Sequence, residues 1–170
     1  VGVVKGNFVP LDLQLRFHVG AAPYLLPSEQ ATTLAIVLNE LISNAIEHGF
    51  AQREGGEIRI SGARDGDLIV VHIADDGAGV PEGFSLDSAD GLGLQLVRGL
   101  VGSDLRGSAS IFMTDGSPDA HGEDDADESD TLADDTLRRW TVVELRFPAS
   151  LVRLGAPESD RGGSDRAQMS

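Results

Sequence analysis

At 170 residues with 41% apolar side chains, the chain suits one compact domain with a real core rather than two domains or a disordered polymer. Thirteen basic against 28 acidic side chains give a formal charge of −15, a field that repels nucleic-acid backbones and anionic membrane surfaces. Cysteine is absent, which excludes disulfides, thiol nucleophiles and thiolate metal sites. The sole lysine, Lys5, precedes Gly6 and Asn7, which excludes a GxxxxGK[ST] phosphate loop.

The alternation of Leu11, Leu13, Leu15, Phe17 and Val19 with polar residues predicts a half-buried strand. After Pro27, Ser28 is a natural N-cap, and apolar residues at 31, 34, 35, 38, 41, 42 and 45 predict a helix of about 20 residues that stops at Gly49. Its apolar run is cut by Asn39, Glu40 and Asn44, so it cannot span a membrane. Glu57 to Ala63 and Leu68 to Ala74 read as a hairpin with Asp-Gly at its turn, and Gly77 to Asp90 as a loop. A second helix is predicted from Leu92, fading after Gly102, then strands at Ala109 to Met113 and Trp140 to Phe147. Between those strands, 115–135 holds 10 acidic residues in 21 and no Lys or Arg, a composition expected to stay disordered. The expected boundaries are a domain over 1–148 and a flexible tail over 149–170. The opening at Val1 has no signal-peptide pattern, and the expectation is a soluble, cytoplasmic segment of a longer chain.

Three short patterns carry chemistry. Glu40, Asn44 and His48 recur every fourth residue and share one helix stripe; a polar stripe alone is usually a solvated edge. Asp75-Asp76-Gly77-Ala78-Gly79 ends an apolar strand, so a carboxylate sits at its tip where it could accept a hydrogen bond from an exocyclic amine such as that of adenine; alone it is an ordinary tight turn. Gly91-Leu92-Gly93-Leu94 opens a helix whose free N–H groups and dipole suit a phosphate.

Together and in this order they resemble the N, G1 and G2 boxes of the GHKL ATPases, and in particular the catalytic ATP-binding (HATPase) domain of sensor histidine kinases of the short-lid type. The likeness covers about 13–148, less the acidic insertion. It implies a Bergerat fold, an α/β (α+β) two-layer sandwich in which helices cover a mixed, mainly antiparallel sheet. It also implies site residues: Asn44 as the Mg²⁺ ligand, Asp75 as the adenine-binding carboxylate, Gly77 and Gly79 as the turn beneath it, and Gly91, Leu92, Gly93 and Leu94 as hinge and phosphate contact. Thr141 matches a Thr of the last strand that reaches the adenine region. Glu40 stands where ATP-hydrolysing branches carry a general base.

The implied function is a protein-histidine kinase domain that binds ATP or ADP with Mg²⁺ and delivers the γ-phosphate to a histidine on a separate dimerisation domain, from which it passes to a response regulator. An anti-sigma factor with serine kinase activity, or an ATP-binding scaffold without turnover, are the alternatives. Nucleic-acid partners and membrane insertion by this segment are not expected. Four features depart from the family pattern: Glu47 stands where many relatives carry Lys, no Lys or Arg occurs between Arg64 and Arg98, Trp140 replaces a usual Gly, and the acidic insertion has no counterpart. That leaves Arg98 as the side-chain cation nearest the loop, while His48 reads as a packed or capping residue and His18, His72 and His121 as structural or solvated.

Overall fold

The computed structural model describes residues 13–20, 25–88, 91–116 and 138–149. Five strands form one sheet in the order β1-β2-β3-β5-β4. Strand β1 (Gln14–Val19) runs parallel to β2 (Gly55–Asp65). A two-residue turn with Gly66 at φ +60 leads from β2 into β3 (Leu68–Asp75), as the Asp-Gly signal predicts. Antiparallel pairing continues from β3 to β5 (Arg139–Pro148) and from β5 to β4 (Ser108–Asp115).

Helices α1 (Ser28–Asn44) and α2 (Leu92–Ser103) pack against each other on one face. Side chains alternate across the central strands, so Ile69, Val71, Ile73, Val143, Leu145 and Phe147 meet Val37 and Leu41 of α1 and Val97 and Val101 of α2. The result is a two-layer sandwich with a mixed sheet, the Bergerat arrangement. No helix among the described residues is long and apolar enough to cross a membrane.

The structure corrects several details. Phe17 and Val19 are 50% and 70% exposed, so β1 is less buried than its alternation predicts. It is an edge strand, and the helices pack on β3 and β4 instead. In α1 the N-cap is Pro27, without a side-chain cap bond, and Ser28 is already helical. The innermost side chains are Gln30, Thr33, Val37 and Leu41, whereas Ala31 and Ala35 face outward.

The predicted single helix is also two pieces. After Asn44 the backbone opens into one π turn, Ala45–Gly49, and Phe50, fully buried, ties it off by donating its N–H to Ala45 O at 3.2 Å. Beyond Asp115 and Gly116 the acidic segment lies outside the described residues, as do 11–12, His121 and the tail after Ala149.

The sheet's other face is polar. Glu57, nearly inaccessible, meets Arg59 at 2.6 Å, Arg16 at 3.3 Å and Arg138 at 3.4 Å. Burial pushes the Glu57 carboxyl up, but the hydrogen bond and charge of Arg59, with help from His18 and Arg16, hold it below the usual range. Trp140 packs here with Ala74 and Val142, under the Arg59 guanidinium at 4.5 Å, on the face away from the helices. Its bulk therefore does not enter the space between helices and sheet.

Candidate nucleotide site

A cavity of about 450 Å³ opens between the end of α1, the π turn, the tip of β3, the loop after it and the start of α2. Most of its wall is apolar: Leu41, Ala45, Ile73, Val80, Pro81, Phe84, Leu86, Leu94, Ile111 and Val143. Such a slot suits a flat ring system, with polar groups set at a few points.

Asp75 is the carboxylate in that wall. Burial pushes its pKa up from 3.8 to about 6, against the Gly77 N–H bond to Oδ1 at 3.0 Å, with the Asp76 charge raising it further and Arg53 lowering it. Its surroundings leave no room for side chains. A Cβ on Gly77 would stand 2.6 Å from Asp75 Oδ1 and 2.8 Å from Gly49 Cα, and one on Gly49 3.0 Å from the same oxygen. The Ala78 N–H closes the contact by donating to Gly49 O at 2.8 Å. Gly79 needs its φ of +80, and a Cβ there would lie 2.9 Å from Met113 Cε.

Across the cavity stands the polar stripe. The Asn44 amide is buried enough that Nδ2 has no partner. Gly93 sits directly over the stripe, where a Cβ would come 2.8 Å from Glu40 Oε2 and 3.5 Å from Asn44 Nδ2. Helix α2 has Gly91 as N-cap with no side-chain cap bond, so its first N–H groups have no intrahelical partner.

No three His, Cys, Asp or Glu side chains among the described residues form a metal cage. A hard ion beside Asn44 and Glu40 would take most of its oxygens from a ligand and water, which is how Mg²⁺ is usually held. The residues present fit that ion.

Of the expected site residues, Asn44, Asp75, Gly79, Gly91, Leu94 and Thr141 line the cavity. Gly77 and Gly93 border it through close packing, and Glu40 lies beside Gly93. Leu92 differs: it is 83% exposed and is not part of the cavity wall. The Thr141 hydroxyl donates to Met113 Sδ at 3.5 Å. Arg98 is engaged elsewhere, donating to Leu86 O at 3.2 Å and to Asp87 O, and so ties the loop's 3₁₀ turn (Leu86–Ser88) to α2.

Sequence reasoning missed His48 as a wall residue, although its four-residue spacing from Asn44 was the signal; the π turn brings it to the cavity. His18 and His72 lie on the opposite sheet face, near Glu57 at 3.5 Å and Glu144 at 3.0 Å.

The arrangement defines a nucleotide-type slot: an apolar cleft with the Asp75 carboxylate at one end and a helix N-terminus at the other. Residues 13–103 match the family model described as histidine kinase-like ATPase domain, and the chain belongs to that family. It is similar to sensor histidine kinase PdtaS of Mycobacterium tuberculosis, 46% identical over 109 residues, 64% of this chain and 22% of that kinase. It also resembles blue-light-activated histidine kinase 2 of Erythrobacter litoralis, 31% identical over 88 residues, 51% of this chain and 25% of that protein. The chain thus spans about a quarter or less of the length of these relatives.

Among solved structures, the histidine kinase domain of the Erythrobacter litoralis EL346 blue-light-activated kinase superposes with a TM-score of 0.56 at 25% identity, covering 83% of this chain and 57% of that one. The catalytic domain of histidine kinase ThkA gives 0.53 at 18% identity, covering 81% and 80%, and shows the shared fold.

Proposed function

We propose that this domain binds Mg-ATP and serves as the catalytic part of a sensor histidine kinase, handing the γ-phosphate to a histidine on a separate dimerisation domain and thence to a response regulator. The observation that carries this reading is the buried Asp75 carboxylate facing, across an apolar slot, the Glu40–Asn44 stripe and the open N-terminus of α2.

In this reading Asp75 accepts a hydrogen bond from the exocyclic amine of adenine, which guanine lacks at that position. Thr141 borders the ring, and apolar walls from Ile73, Val143 and Leu94 exclude water. The free N–H groups and dipole of α2 receive phosphate oxygens. Asn44 offers an amide oxygen to the metal, and bound Mg²⁺ would neutralise charge on the phosphates. Glu40, next to it on the stripe, is placed to hold a proton or a water near the terminal phosphate. His18 and His72 lie on the other face of the sheet, ill placed as acceptors. Residues 1–148 form the catalytic unit in this reading, with 149–170 as a tail, and its location is cytoplasmic.

Calorimetry with ATP, with and without magnesium, on wild type and Asn44→Ala tests the binding step. The expected result is magnesium-dependent affinity that Asn44→Ala removes; equal affinity in both proteins would sink the metal assignment. Labelled ATP with a separately supplied dimerisation domain should yield an acid-labile, base-stable product on that domain, at a concentration-dependent rate. Acid-stable phosphoserine on a sigma-factor antagonist, with none on the histidine domain, would favour the anti-sigma reading instead.

A further inference from the structure

We propose that Asp76 is the positioning residue of the nucleotide slot, a clasp on the far side of the sheet that holds Asp75 at the cavity wall. Consecutive strand residues point to opposite faces, so Asp75 faces the helices and Asp76 faces the polar side. There Asp76 is bonded in both directions to β2: its Oδ1 accepts the Glu57 N–H at 2.7 Å, and its own N–H donates to Glu57 O at 3.2 Å. The fit requires glycine at 56, where a Cβ would stand 2.6 Å from Asp76 Oδ1.

Its other oxygen, Oδ2, meets Arg138 Nη1 at 3.5 Å, and the same guanidinium nitrogen reaches Glu57 Oε2 at 3.4 Å, so the clasp also reaches the start of β5. Arg53, just past the π turn, donates to Asp76 O. One residue thus joins β2, the tip of β3, β5 and the segment after α1. Its neighbours Asp75 and Gly77 are the two whose mutual hydrogen bond sets the direction of the adenine-reading carboxylate. Releasing Asp76 frees that turn to swing. A general weakening of the core is not required, because the clasp lies outside the main apolar cluster.

The proposal deepens the ATP-binding reading and rests on it for the ligand, but its geometric part has a readout without ligand: exchange protection of the Gly77 amide. Asp76→Ala leaves the buried Glu57 N–H unpaired and should cost about tenfold or more in ATP affinity while lowering Gly77 protection. Asp76→Asn keeps an acceptor for that N–H and should hold both within about threefold of wild type.

Asp76→Asn should also move the Asp75 titration, followed by carboxyl NMR, to lower pH, because a negative neighbour is gone. The remaining charged groups around Asp75 are Arg53 after the π turn and, across the sheet, Glu57 of β2 and Arg138 before β5, with His48 in the cavity wall. Should Asp76→Ala fail to fold, Arg138→Met loosens the Oδ2 arm together with the Glu57 Oε2 contact, leaves the Oδ1 bond to the Glu57 N–H in place, and should weaken ATP about threefold with an unchanged circular dichroism spectrum.

Wild-type ATP affinity and Gly77 protection in Asp76→Ala, or wild-type affinity in Arg138→Met, would overturn the clasp, as would Asp76→Asn falling as far as Asp76→Ala. If wild type bound no ATP yet Asp76→Ala still lost Gly77 protection, the clasp would stand and the nucleotide reading alone would fall.

Discussion

Asp75→Asn should stabilise the domain and disable it. Burial pushes the Asp75 pKa from 3.8 to about 6, so the folded protein holds this proton more tightly than the unfolded chain does. Stability contributed by the group is therefore fully present below pH 3.8, falls as pH rises between 3.8 and about 6, and above that ionised Asp75 is a constant cost. A shift of that size corresponds to about 3 kcal/mol as an upper limit, at about 1.4 kcal/mol per unit. An asparagine cannot ionise, and its amide oxygen can still accept the Gly77 N–H.

Urea unfolding at pH 8 should thus show Asp75→Asn more stable than wild type by about 1–3 kcal/mol, with the difference closing near pH 4. The same variant should bind ATP about tenfold or more weakly, because a charge-assisted hydrogen bond to the base becomes a mismatched amide. This trade is the usual signature of a strained functional group. A variant less stable than wild type at pH 8, or a stability difference that is the same at both pH values, would refute the reasoning.

Gly93→Ala would bring a methyl group 2.8 Å from Glu40 Oε2, the end of a flexible side chain. It should cost under about 1 kcal/mol of stability yet lower ATP affinity several-fold, as melting curves and calorimetry can compare. Replacing 117–137 by a short Gly-Ser turn should preserve the β4–β5 register, since Gly116 N–H already donates to Arg138 O at 2.9 Å, and raise stability by about 1–2 kcal/mol through the shorter closure. Nucleotide affinity in that variant should stay within about threefold of wild type; a larger loss in a binding titration would tie the acidic segment to the site. Trp140→Ala empties a fully buried position and should destabilise by about 3–5 kcal/mol in urea without changing the ATP-to-GTP preference of the folded fraction, because Trp140 lies on the face away from the cavity.

Much of the molecule was legible in its sequence because the signals were local. Strand alternation, the Asp-Gly signal for the turn at Gly66-Asp67 and the apolar spacing of α1 and α2 report backbone preference and one-sided burial, which need no knowledge of partners. That Asn44, Asp75 and Gly91 line one cavity was legible for a related reason: each sits at the end of an element whose type the local pattern already announces. What lay beyond reach depends on contacts between distant segments. The exposure of Phe17 and Val19 follows from the edge place of β1, and nothing within 14–19 says which strand will be an edge. The π turn Ala45–Gly49 follows from Phe50, which closes it and whose burial depends on core residues from distant segments. Arg98 looks like a free cation until the fold lays it on the carbonyls of Leu86 and Asp87. Asp76 reads as a second turn residue until β2 and β5 bring Glu57 and Arg138 to it from 19 and 62 positions away. Short-range sterics and periodicity thus decide which elements form. Which polar groups remain available for a ligand is decided only when the sheet closes, because hydrogen bonds and charges are claimed by whichever partners tertiary packing brings within about 3 Å.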